Sequence, residues 1–102
     1  MARDYHFRLR AIRMALGMSI REAGIRVGCS HALITQYENK YHIGRVYDLQ
    51  LQDLLESGYD RLIKSRTDNK GVWYRKYIEL MADLIEIRLY MEAGIKIPDS
   101  LL

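Results

Sequence analysis

The 21 residues from Ser19 to Asn39 read Ser-Ile-Arg-Glu-Ala-Gly-Ile-Arg-Val-Gly-Cys-Ser-His-Ala-Leu-Ile-Thr-Gln-Tyr-Glu-Asn, and they constrain the fold more than any other stretch. Ser19 with Glu22 three residues on is a capping box that starts a helix. Gly28 tolerates the positive φ of a tight turn, and Ser30 can cap a second helix after it. Two short helices joined this way cross steeply and touch, which needs a residue with almost no side chain midway along the first. Gly24 meets that need. The second helix needs apolar anchors on its inner face, and Ile34 and Tyr37 stand three apart there. Gly24, Gly28, Ile34 and Tyr37 thus answer four independent steric demands at fixed offsets.

The apolar spacing is helical on both sides of this stretch. Phe7, Leu9, Ile12 and Leu16 mark a first helix opened by Asp4 and closed by Gly17. A fourth runs from about Arg45 to Ser57, with Val46, Leu49 and Leu54 inward and Gly58 as its stop. Tyr59 to Lys64 add a turn or two. Residues 65–71, Ser-Arg-Thr-Asp-Asn-Lys-Gly, hold no apolar side chain and read as a linker. Val72 to Ala93 then form a helix of roughly 33 Å at 1.5 Å per residue. No stretch alternates with period two, so the expected class is all-α. The expected division is a domain over 1–64, the linker 65–71, and a helix with its tail over 72–102.

Residues from about Leu9 to Leu62 resemble the Xre/Cro family of helix-turn-helix DNA-binding domains, the phage-repressor type. The likeness is carried by Leu9, Arg13, Gly17, Met18, Ser19, Gly24, Gly28, Cys29, Ser30, Ile34, Tyr37, Glu38 and Asn39. It covers about half the chain and three helices at fixed spacing. It implies a compact five-helix domain whose third helix enters the DNA major groove, followed here by the long C-terminal helix. It also implies an ion pair between Arg13 and Glu38, joining the first helix to the end of the third. Two positions depart from the family pattern. Ile20 stands where Gln usually touches a phosphate, and Lys40 stands where Gly commonly follows Glu-Asn.

Groove geometry assigns roles on that basis. Base edges are read from the N-terminal end and outer face of the recognition helix, which here means Ser30, His31, Ala32, Thr35 and Gln36. Gln36 suits adenine, His31 can donate to guanine, and the methyl groups of Ala32 and Thr35 suit that of thymine. Helix N-termini and nearby cations clamp phosphates, which points to Ser19, Arg21, Asn39, Lys40, Tyr41 and Arg45. Arg8 and Arg10 are weaker candidates, since a first-helix arginine is as often a solvated surface charge.

Charge distribution agrees with a polyanion partner at one end. The 102 residues carry 16 Lys+Arg against 13 Asp+Glu, a net +3, but residues 1–47 hold eight basic and three acidic side chains. No run approaches the roughly 18 apolar residues of a membrane span, and the opening Met-Ala-Arg-Asp-Tyr-His has no apolar stretch behind it to make a signal peptide. A single cysteine builds no disulfide framework and suits a reducing compartment. Cys29 reads as a small buried hydrophobe. His6, His31 and His42 lack metal-ligand spacing. With no phosphate loop, nucleophile elbow or acid/base pair, a binding protein without metal, cofactor or small-molecule ligand is expected.

The last third carries two apolar stripes. Trp73, Tyr77, Leu80, Leu84, Ile87 and Met91 recur at spacings 4, 3, 4, 3, 4, beside Tyr74, Ile78, Met81 and Ile85. Glu79, Asp83 and Glu86 mark the polar back, and Arg75–Glu79 and Arg88–Glu92 are i,i+4 pairs. Two stripes make too wide an apolar face for packing on one small domain. One stripe is expected to meet the chain's own domain and the first-named to meet a second copy. Ile95, Ile97, Leu101 and Leu102 around Pro98 form a tail that packs over a partner or back onto its own helix. The function expected from all this is a homodimeric, sequence-specific transcription regulator, a repressor, acting on an inverted repeat of double-stranded DNA in a bacterial cytoplasm. A regulatory protein is a further partner candidate. The alternatives are the antitoxin of a toxin–antitoxin pair, and an interaction module whose helix-turn-helix has lost DNA binding.

Overall fold

The computed structural model describes residues 4–39 and 45–102, apart from the side chains of Arg45 and Val46. Five α-helices follow one another: α1 (Tyr5–Ala15), α2 (Ile20–Val27), α3 (His31–Glu38), α4 (Arg45–Lys70) and α5 (Trp73–Ala93), with a 3-10 turn at Asp99–Leu101. No strand occurs among the described residues.

Capping side chains set the three short helices. Asp4 accepts from the His6 N–H at 2.9 Å, Ser19 from that of Glu22 at 3.1 Å, and Ser30 from that of Ala32 at 3.1 Å. Gly28 ends α2 in the left-handed region at φ +89°. The core gathers Leu9 from α1 and Leu16 just after it, Ala23 and Val27 from α2, Ile34 and Tyr37 from α3, and Leu51, Leu55, Tyr59 and Ile63 from α4. A second cluster joins Phe7 and Ala11 of α1 to Ala82, Leu89 and Tyr90 of α5. There the Phe7 ring stands edge-on to Tyr90 at 4.8 Å, and the Asp4 N–H donates to the Tyr90 hydroxyl.

Helix α4 differs from its expected form in three ways. It does not stop at Gly58, and residues 65–70 are its last turns instead of an irregular linker. Gly58 is buried mid-helix because α2 lies against it: a Cβ there would stand 2.8 Å from Cγ2 of Val27. The polar stretch stays helical because tertiary bonds hold it. Arg66 donates to the Leu16 carbonyl at 3.0 Å and to the Tyr74 hydroxyl at 3.1 Å. Gly71, at φ +103°, supplies the actual stop. The inward face is also turned from the expected one: Leu51, Leu55, Tyr59 and Ile63 are buried, whereas Leu49 and Leu54 are exposed.

Helix α5 packs on α1 and α4 through Tyr74, Ile78, Ala82, Leu89 and Tyr90. Its expected polar back is not wholly polar surface. Glu86 is fully buried and Asp83 half-buried, and both receive Arg8, at 3.3 and 2.7 Å. Arg75 reaches Asp60 of α4 at 3.0 Å instead of Glu79, while Arg88 and Glu92 pair at 3.1 Å. The tail folds back onto its own chain, with Pro98 buried and Ile97 and Leu101 packed on the second cluster.

Candidate nucleic-acid interface

The approach of α2 and α3 is set by Gly24. A Cβ at this position would stand 2.7 Å from the Cys29 carbonyl oxygen and 3.2 Å from the His31 nitrogen, both backbone atoms that cannot yield cheaply. Ile34 and Tyr37 then anchor α3 with no exposed surface. The Tyr37 hydroxyl donates to Gln52 of α4 at 3.3 Å, and its ring lies 4.3 Å from that of His6. His6 itself sits between the Asp4 and Asp48 carboxylates, each at 3.3 Å.

Arg13 and Glu38 come together as a bidentate pair, Nε to Oε2 at 2.6 Å and Nη2 to Oε1 at 2.9 Å. The third arm of Arg13 donates to the Met18 carbonyl at 2.7 Å, so one guanidinium ties α1, the α1–α2 turn and the end of α3. Arg10 Nε lies 3.8 Å from the same carboxylate. Arg8 is turned to α5 and its carboxylates. Removing either partner of the Arg13–Glu38 pair would strand a buried charge.

With that inner face fixed, the opposite face of α3 carries the base-reading candidates. His31 and Ala32 are exposed, and Thr35 and Gln36 half-buried. The Thr35 hydroxyl donates back to the His31 carbonyl at 3.1 Å. Ser30 and Ser19 use their oxygens as caps and keep an O–H for an acceptor such as a phosphate oxygen. Asn39 donates to the Thr35 carbonyl at 2.9 Å and closes α3. Arg21 is exposed in the first turn of α2. Lys40 and Tyr41 lie outside the described residues, as does the side chain of Arg45. Sequence reasoning missed Ile25, one turn beyond Arg21 on α2 and widely exposed; an apolar residue amid charges gives no signal of which way it faces.

Other chemistry is sparse. Partial burial pushes the Cys29 thiol above its ordinary value, away from the reactive thiolate. Among the described residues no cluster of three or more His, Cys, Asp or Glu side chains could hold a metal, and no helix is long and apolar enough to cross a membrane. A cleft of about 260 Å³ opens between α1, α4 and α5 over Leu9, Ile12, Ile63 and Ile78, but Arg75 and Asp60 pair with each other across its rim. The chain matches no protein-family model, no curated protein and no solved structure.

Proposed function

We propose that this chain is a sequence-specific double-stranded DNA-binding regulator, a repressor acting as a homodimer on an inverted repeat, with α3 as the reading helix. The observation that carries the reading is the seating of α3. Gly24 admits it against α2, Ile34, Tyr37 and the Arg13–Glu38 pair hold one side, and His31, Ala32, Thr35 and Gln36 stand on the other. Small and polar side chains on a rigidly held outer face suit base edges in a major groove. The basic bias of residues 1–47 supports the same partner. A second reading, an antitoxin whose C-terminal helix grips a toxin, draws support from the exposed apolar row on α5. A third, a protein-interaction module whose helix-turn-helix has lost DNA binding, draws support from Ile20, which stands where the family has Gln.

The test separates base contacts from phosphate contacts. A preferred site is selected from a random duplex pool, then titrated beside mixed DNA at several salt concentrations. Gln36→Ala and His31→Ala should each cost about 1–3 kcal/mol on the preferred site with little loss on mixed DNA. Arg21→Ala should weaken both alike and flatten the salt slope by about one unit. Absence of salt-dependent DNA binding would remove the proposal, and equal losses on both duplexes for the α3 changes would remove α3 as the reader.

A further inference from the structure

Helix α5 has two apolar faces, and the chain's own core covers one of them. Tyr74, Ile78, Ala82, Leu89 and Tyr90 are buried. The opposite face presents Trp73, Tyr77, Leu80, Leu84 and Met91 to solvent, with Trp73 57 %, Leu84 63 % and Met91 67 % exposed. One exposed leucine needs no explanation; five large apolar side chains in a row of roughly 27 Å do. Trp73 is held in place. Its indole N–H donates to the Lys70 carbonyl, and its ring lies 5.8 Å from Tyr74 and 6.0 Å from Tyr77. The one polar atom of the ring is therefore satisfied inside the chain, and what it offers outward is apolar.

We infer that a second copy covers this face with its own, the two α5 helices running antiparallel and Leu80 of each copy lying against Leu84 of the other. The inference deepens the homodimer of the proposed function and does not depend on its DNA. With Ile87, the intervals along the row are 4, 3, 4, 3, 4, which read the same from either end and centre on position 82. Antiparallel pairing about that centre sets Trp73 against Met91, Tyr77 against Ile87 and Leu80 against Leu84. Each layer joins a larger side chain to a smaller one, or two equals, so the helix axes keep an even distance and the seam fills without voids. Parallel pairing would stack both Trp73 and both Tyr77 at one end and splay the helices there. The helix dipoles also favour antiparallel pairing, since it sets the positive N-terminal end of each α5 against the negative C-terminal end of the other. The side chains are cationic at both ends, with Lys70 and Lys76 at one and Arg88 and Lys96 beside Glu92 at the other. At those exposures the five side chains leave on the order of 600 Å² open per copy, so a pair covering all of it would bury at most roughly 1,200 Å², the size at which specific interfaces begin.

The full-length chain carrying Cys29→Ala is made with Leu80→Cys or Leu84→Cys, and the two variants are mixed and oxidised. The mixed 80–84 disulfide should exceed either self-linked product about tenfold, because only facing positions come within disulfide reach. Predominant 80–80 and 84–84 products would overturn the antiparallel register. Sedimentation of the unaltered chain at tens of micromolar should show a dimer, and a monomer there would overturn the inference, whatever else binds the face. Leu84→Arg, with its helical circular dichroism unchanged, should raise the dimer dissociation constant at least about a hundredfold, since the seam offers the guanidinium no partner. An unchanged constant would place the interface elsewhere. Salt-dependent DNA binding of the same preparations is scored separately. A cross-linked antiparallel dimer that ignores DNA removes the DNA reading alone, and a DNA-binding monomer removes this inference and the homodimer while leaving the DNA reading.

Discussion

Tyr37 and Tyr59 carry their phenol groups into the interior, and burial pushes both well above the ordinary tyrosine value. Nearby carboxylates add to the rise, Asp48 and Asp4 for Tyr37 and Glu38 for Tyr59. The linkage has a definite sign. Above about pH 10 the unfolded chain loses these protons while the folded chain keeps them, so stability is full below that pH and falls as pH rises, by up to about 1.4 kcal/mol per unit for each tyrosine. Urea titrations from pH 7 to 11 should show this fall, with a shallower limb in Tyr59→Phe and in Tyr37→Phe. The two variants should differ at pH 7. Tyr59 has no hydrogen-bond partner among the described residues, so its loss costs little there, whereas Tyr37→Phe gives up the bond to Gln52, about 1 kcal/mol. An alkaline limb unchanged in both variants would refute the assignment. At this scale the inward turn of Ile34 and Tyr37 was legible from their spacing. The burial of Glu86 was not: local pattern groups it with Glu79 and Asp83 as a polar face, and the Arg8 that donates to it lies 78 residues away.

At the scale of elements, Gly58 shows why a glycine in a helical pattern has two readings. It can end a helix by adopting positive φ, or it can let another helix approach. Only the position of α2, which no local pattern reveals, decides between them here. Gly58→Ala gains intrinsic helix propensity, about 1 kcal/mol, but drives a methyl group into Val27, whose Cγ and Cβ atoms would lie 2.8–3.2 Å away. The net effect should be destabilising by about 1–2 kcal/mol. Adding Val27→Ala should make room, so the double variant should be more stable than the sum of its single changes by at least about 1 kcal/mol. Additive denaturation energies would mean that the two helices do not meet at this point. The same blindness to tertiary approach explains α4 as a whole. Seven residues without an apolar side chain signal a linker, yet bonds from Arg66 to Leu16 and Tyr74 keep the first six of them wound.

Across the whole molecule, one region is basic, one helix row is apolar, and a single 26-residue helix runs between them. The two short helices α2 and α3 and the tight turn at Gly28 were legible because their steric demands are local and fall within 21 residues. The solid connection to α5 was not, because it rests on contacts between distant parts of the chain. α1 is held to α3 by Arg13 and Glu38, to α5 by Arg8, Phe7 and Tyr90, and α5 to α4 by Arg75 and Asp60. If the chain binds DNA as proposed, that bracing has a consequence for the operator. With α3 braced through α1 to α5 among the described residues, a dimer joined at α5 would behave as a ruler. Each base pair inserted between half-sites moves one of them by about 3.4 Å and turns it by about 35° about the DNA axis. A flexibly tethered reader would follow it. This one should lose most of its preferred-site affinity at a single inserted pair and not regain it at a full turn, where the half-sites share a face again but stand about 34 Å further apart, a loss that competition binding over a spacing series reads directly. A regulator built without slack would read the gap between two sequences as strictly as the sequences themselves.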